Sequence, residues 1–114
     1  MNGIYLWSCG YHIDGTSVKA IYSILTSGNL YATKQTSSSK CFGISGISAT
    51  EAYAIRAMYP TTTTTNYFLS KLTYASSTFG STSYNMNTKI DTGISLEKAY
   101  FKAGSNIAYM IGQY

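Results

Sequence analysis

The stretch Tyr11-His12-Ile13-Asp14-Gly15-Thr16-Ser17-Val18-Lys19-Ala20-Ile21-Tyr22-Ser23-Ile24-Leu25-Thr26-Ser27-Gly28 decides how this chain is read. Val18, Ile21, Tyr22, Ile24 and Leu25 recur at helical spacing. Thr16 or Ser17 supplies a cap and Gly28 a stop, so the pattern predicts a helix over residues 18–25. The stretch also holds the only histidine, His12. It lies between an apolar strand-like run (residues 4–9) and the helix start, where free backbone amides converge and anionic or amide ligands dock.

Working outward, Leu30-Tyr31-Ala32-Thr33 reads as a short strand and the Ser-rich residues 35–40 as a loop. Cys41-Phe42-Gly43-Ile44 reads as another short strand. Ser48-Ala49-Thr50-Glu51 has the form of a capping box, with Glu51 reaching back to the helix start. Ala52, Ile55, Arg56, Ala57 and Met58 continue a second helix, which the only proline, Pro60, ends. Thr61 to Thr65 is a loop or an extended entry to a strand. Residues 67–74 alternate, with Phe68, Leu72 and Tyr74 on one face. Residues 75–87 read as a long loop or a frayed strand, and residues 89–94 as extended. Residues 99–102, a turn over 103–106 and residues 107–111 form a terminal hairpin, with Ile107, Tyr109 and Ile111 alternating as a half-buried strand. Helices early and strands late predict an α+β fold, two helices packed on a mostly antiparallel split β-sheet, in one domain over residues 1–114.

The composition narrows the chemistry. Charged residues are 11% of the 114, far below the usual quarter, while tyrosine occurs 12 times. The polar surface must therefore come from Ser, Thr, Asn and Tyr, and an apolar ring with a hydroxyl suits adhesive surfaces. The net charge of +4 comes from scattered bases with no nucleic-acid tract. No signal peptide or apolar run of transmembrane length is visible, so the expectation is a soluble chain, one of effector type delivered between cells among the options. A bridge between Cys9 and Cys41 is one option; without a secretory context, two free, partly buried thiols are the expectation.

One histidine and two separated cysteines make a poor zinc set, so no metal site is expected. There is no Walker loop, dinucleotide fingerprint or nucleophile elbow. Of the four acids, Glu51 is explained by capping, and Asp14 and Asp91 suit turns. Glu97, at the start of a late strand, is a candidate to stabilise positive charge; its plainer role is a solvated acid beside Lys98 or Lys102. Read alone, His12 is a structural hydrogen-bonder and Tyr53 a core residue.

Tyr11-His12 with Gly15-Thr16-Ser17, then the run from Ala20 to Gly28, resembles the opening of ADP-ribosyltransferase domains of the diphtheria-toxin and poly-ADP-ribose-polymerase type. Phe42-Gly43-Ile44-Ser45 and Ala49 to Ala54 are similar to that family's aromatic-bearing strand and following helix. Glu97 stands where a catalytic Glu leads into a late strand. Ile13-Asp14 interrupts the family's opening motif, and Ser95 stands where arginine-modifying members carry Gln or Glu. The resemblance implies an NAD-consuming transferase or glycohydrolase, as a toxin or effector module, with NAD as substrate. It implies His12 on the adenosine-side ribose, the backbone near Gly15 and Thr16 on the nicotinamide amide, and Phe42 and Tyr53 sandwiching the ring. Glu97 would stabilise the oxocarbenium-like charge. The acceptor would be a protein, nucleic acid or water, and a cognate immunity or carrier protein would be a further partner. A second expectation is a non-catalytic, tyrosine-rich binding or assembly protein, either carbohydrate-binding or a structural subunit of a phage or cell surface. A third is an RNA-cleaving toxin, against which the scattered lysines and single arginine argue.

Overall fold

Residues 17–26 form a strand, not a helix, in the computed structural model of the chain, which describes residues 5–27, 29–61, 64–90, 93–102, 105 and 107–113. Ala20, Tyr22 and Ile24 lie on one face at the two-residue period of a strand and are buried. Ile21, Ser23 and Leu25 lie on the other face and are half-buried. Apolar residues on both faces of a strand imitate helical spacing. The β-branched and aromatic content of the run, Val18, Ile21, Tyr22, Ile24 and Thr26, favours the pleated form.

Among the described residues nine strands follow in order: β1 (Tyr5–Asp14), β2 (Ser17–Thr26), β3 (Asn29–Ser37), β4 (Ser39–Gly46), β5 (Glu51–Met58), β6 (Asn66–Ala75), β7 (Thr78–Asn85), β8 (Ser95–Phe101) and β9 (Ala108–Gln113). They make three antiparallel sheets, β1-β2-β3, β4-β5-β6-β7 and β8-β9. The expected α+β class is therefore replaced by an all-β architecture, with no helix among the described residues.

The second expected helix is β5. Ala52, Ala54 and Ala57 are fully buried and Ile55 almost so. Ala52 and Ala54 face the first sheet with Trp7, Tyr22, Ile24 and Leu72. Ile55, on the opposite face, joins Leu96 and Ala99 of the third sheet. A strand covered on both sides carries small apolar residues wherever neighbouring layers come close, and alanine is also the best helix former. That coincidence explains the misread run. The capping box does not form either. The Thr50 amide donates to Ser48 Oγ at 3.2 Å, the Glu51 carbonyl accepts from the Ile47 and Ser48 amides, and the Glu51 carboxylate pairs with Lys71 at 3.3 Å.

The second sheet is the middle layer. Its contact with the first sheet is stapled by a Cys9–Cys41 disulfide, which corrects the expectation of free thiols. Cys41 is buried and Cys9 half-buried on facing strands, β4 and β1, which brings together sulfurs 32 residues apart in sequence. Trp7 spans the same gap, its indole N–H donating to the Ser48 carbonyl at 2.8 Å. A Cβ on Gly46 would meet the Trp7 ring at 2.8 Å, so the indole lies flush against bare backbone. On the other side, a Cβ on Gly43 would collide with the backbone of Ala99. Glycine there lets β4 and β8 approach backbone to backbone.

Serines shape the connections. The residues expected to loop, 35–40, instead end β3 and begin β4, and Ser38 alone, at φ 51°, carries the chain from the first sheet to the second. Its amide donates to Val18 at 2.8 Å and its carbonyl accepts from Tyr59 at 2.9 Å, one bond to each sheet. Gly15, at φ 61°, turns β1 into β2 as the first central residue of a two-residue hairpin. Ser76 and Ser77, at φ 51° and 62°, turn β6 into β7, so part of the expected long loop is a hairpin. The terminal hairpin is present as β8–β9. Residues 103, 104 and 106 of its expected turn lie outside the described residues. Ile107, Tyr109 and Ile111 are not half-buried; each is at least half exposed.

Candidate functional site

The residues assigned by resemblance do not meet. His12 lies in β1 opposite Lys19, on the face that alternates with Trp7 and Cys9, so it projects from the outer face of the first sheet. Gly15 and Thr16 form the exposed tip of the β1–β2 hairpin rather than a helix start. Glu97 sits at an irregularity in β8 and is exposed, accepting a hydrogen bond from Gln113 Nε2 at 2.6 Å. Because the first and third sheets cover opposite faces of the second, the imidazole and the carboxylate are separated by the whole middle layer. Tyr53 is half-buried in β5 between Ser45 and Lys71. Phe42 packs instead against Tyr11 and Tyr67, with ring centroids 6.3 Å apart in both pairs. These positions do not fit NAD: among the described residues His12 and Glu97 lie on sheets at opposite faces of the middle layer, apart from the ring pair expected to stack.

Three other features stand out. The first is a cleft of about 720 Å³ where the β1–β2 hairpin meets the Ser38 crossing. Its walls include Ile13, Val18, Lys19, Lys40, Tyr59 and Pro60, and no carboxylate lines it among the described residues. The Lys40 ammonium stands 4.8 Å from the centre of the Tyr11 ring and 5.9 Å from that of Tyr59. Each ring face attracts the cation. Burial, with smaller contributions from Tyr67 and Tyr11, pushes the Tyr59 phenol up to about 12. The cleft thus offers cations and neutral hydroxyls but no acid–base pair.

The second is a chain of rings at the other end of the first sheet. Tyr5, Tyr31, Tyr74 and Phe79 follow at 5.7, 5.8 and 4.7 Å, and Phe79 meets Trp7 edge-on at 6.3 Å. Tyr5, Tyr74 and Phe79 pack half-buried against the core, while Tyr31 is exposed.

The third is the outer strand of the last hairpin. Among the described residues β9 pairs only with β8. Tyr109 is 66% exposed, Ile111 53% and Met110 42%, so both faces of the strand are open. Tyr100, opposite Tyr109, is also half exposed. Sequence reasoning located this hairpin and its alternation, but alternation alone does not say whether a layer covers the strand. For Tyr59, Lys40 and Ser38 the sequence carried no signal, since they meet only where two sheets cross.

The fold and these features define a disulfide-stapled, three-layer β-protein with open aromatic surfaces. Comparison with protein-family models, characterised proteins and solved structures found no match to this chain.

Proposed function

We propose that this chain is a non-catalytic assembly subunit that joins a second copy of itself by strand addition along β9. The carrying observation is the state of that edge: six residues, Ala108–Gln113, with no charge, no proline and apolar side chains open on both faces. An exposed apolar edge is a template for another strand, and proteins that stay monomeric blunt such edges with lysine, proline or a cover. Two other sheet margins differ. β3 carries Lys34, and β7 is built largely of Ser, Thr, Gly and Asn. Antiparallel pairing of two β9 strands about a two-fold axis would turn two two-stranded sheets into one of four strands and cover Tyr109, Met110 and Ile111.

The disulfide supports a place of action outside a reducing cytosol. No helix among the described residues is long and apolar enough to cross a membrane. Light scattering across a concentration series tests the proposal. The expected outcome is a reversible dimer or larger species, converted to monomer by Ile111→Lys with the far-ultraviolet spectrum unchanged. A monomer at every concentration, or a variant that associates as strongly, overturns it.

A further inference from the structure

The gap between the first and second sheets is not filled by hydrocarbon along its whole length. On the side where β3 and β7 form the sheet margins it opens into a cavity of about 100 Å³. Two cations line it, Lys34 from β3 and Arg56 from β5, together with the hydroxyl-bearing Tyr22, Thr36 and Ser81. Tyr22 stands at the centre. It is cross-strand partner to Lys34, its ring lies 5.8 Å from the Arg56 guanidinium carbon, and its hydroxyl accepts a long 3.4 Å bond from Arg56 Nη1.

Neither cation is neutralised. The ion pair found among the described residues is Lys71 with Glu51, and no carboxylate lines the cavity. The Arg56 Nε–H is itself buried, so recognition in the cavity falls to the terminal Nη groups of the guanidinium. Guanidinium presents its N–H groups in a fork matched to oxyanions, and an ammonium on the facing wall adds a second charge.

We infer that the Lys34–Arg56 cavity is a binding site for one tetrahedral oxyanion group, a sulfate or phosphate, held by the Arg56 guanidinium and the Lys34 ammonium, with the Ser81, Thr36 and Tyr22 hydroxyls around it. The site is independent of the β9 edge. Lys34 is exposed at the mouth, so the group can be a free ion or the end of a larger ligand such as a sugar sulfate.

Arg56 is the single arginine of the chain, so its Nε–H gives one assignable nuclear-magnetic-resonance signal. The test titrates inorganic sulfate, inorganic phosphate and glucose 6-sulfate against chloride at matched ionic strength. The expected result is a saturable displacement of that signal by an oxyanion but not by chloride. Lys34→Gln is expected to weaken binding roughly tenfold, the loss of one charge-assisted bond. Ser81→Asp places a tethered carboxylate in the cavity and is expected to abolish the response in a folded protein. Tighter binding of the sugar sulfate identifies a carried group, and equal or weaker binding a free ion. A signal unmoved by all three oxyanions, or moved equally by chloride, or a Lys34→Gln protein that binds as tightly, overturns the assignment.

Discussion

Cys9 and Cys41 join the middle of β1 to the start of β4, their Cα atoms 5.9 Å apart across the interface of the first two sheets. The link closes a loop with a sequence separation of 32 that contains β2, β3 and the Ser38 crossing. Trp7, two residues from Cys9, packs against Gly46 across the same interface.

Removing this cross-link frees the unfolded chain. Loop-closure entropy for this separation is worth roughly 3–4 kcal/mol. Urea unfolding of the oxidised protein and of the Cys9→Ala/Cys41→Ala variant should differ by about that amount, and coincident curves would show that the bridge contributes nothing.

Gly43 is expected to be the least replaceable residue of β4. Its Cβ position is occupied by the Ala99 backbone, so Gly43→Ala must push β8 away from the second sheet. The expected cost is about 1–3 kcal/mol, in line with other overpacked cores. Amide hydrogen exchange should show lost protection at Leu96 and Ala99 ahead of the first sheet. Unchanged protection there would count against direct packing of the two strands.

Tyr59 makes stability depend on pH at the alkaline end. Its phenol ionises near 10 in an unfolded chain but near 12 in the folded one, chiefly because of burial. Between these values the folded state binds more protons than the unfolded state, so its stabilisation is complete below pH 10 and falls as pH rises towards 12. Ultraviolet titration should show one tyrosine ionising late, and Tyr59→Phe should remove that late step. Retention of the step in the variant would assign it to another residue.

The β6–β7 hairpin turns through two serines at positive φ, where Asn-Gly is the preferred pair. Ser76→Asn/Ser77→Gly should raise stability by roughly 0.5–1 kcal/mol, since left-handed backbone costs a residue with a Cβ more than it costs glycine. Thermal melting measures it; a lowered midpoint would mean that the serine side chains hold the turn.

Part of this fold was legible in advance. The apolar run before Cys9, the alternation over residues 67–74 and the final hairpin all appear as strands. The two expected helices do not, and both failed for one reason. In β2 and β5 both faces carry apolar residues, because layers or neighbouring side chains meet each of them. A two-sided strand loses the alternation that distinguishes it from a helix. The candidate site failed as a consequence: His12, Phe42, Tyr53 and Glu97 resemble a cleft only if helices separate their strands. The cavity between Lys34 and Arg56 was illegible for a different reason, since its walls are 22 residues apart and meet only by sheet packing.

By itself, then, the sequence determined where several strands ran, and that so few charges would leave Ser, Thr and Tyr to form the surface. The tertiary structure alone decided that the two alanine- and isoleucine-bearing runs are pleated, that the sulfurs meet, and which aromatic strand stays open. The reason is that strand pairing and layer stacking are contacts between distant segments. Their free energy outweighs the few tenths of a kcal/mol by which local propensity distinguishes one backbone form from another.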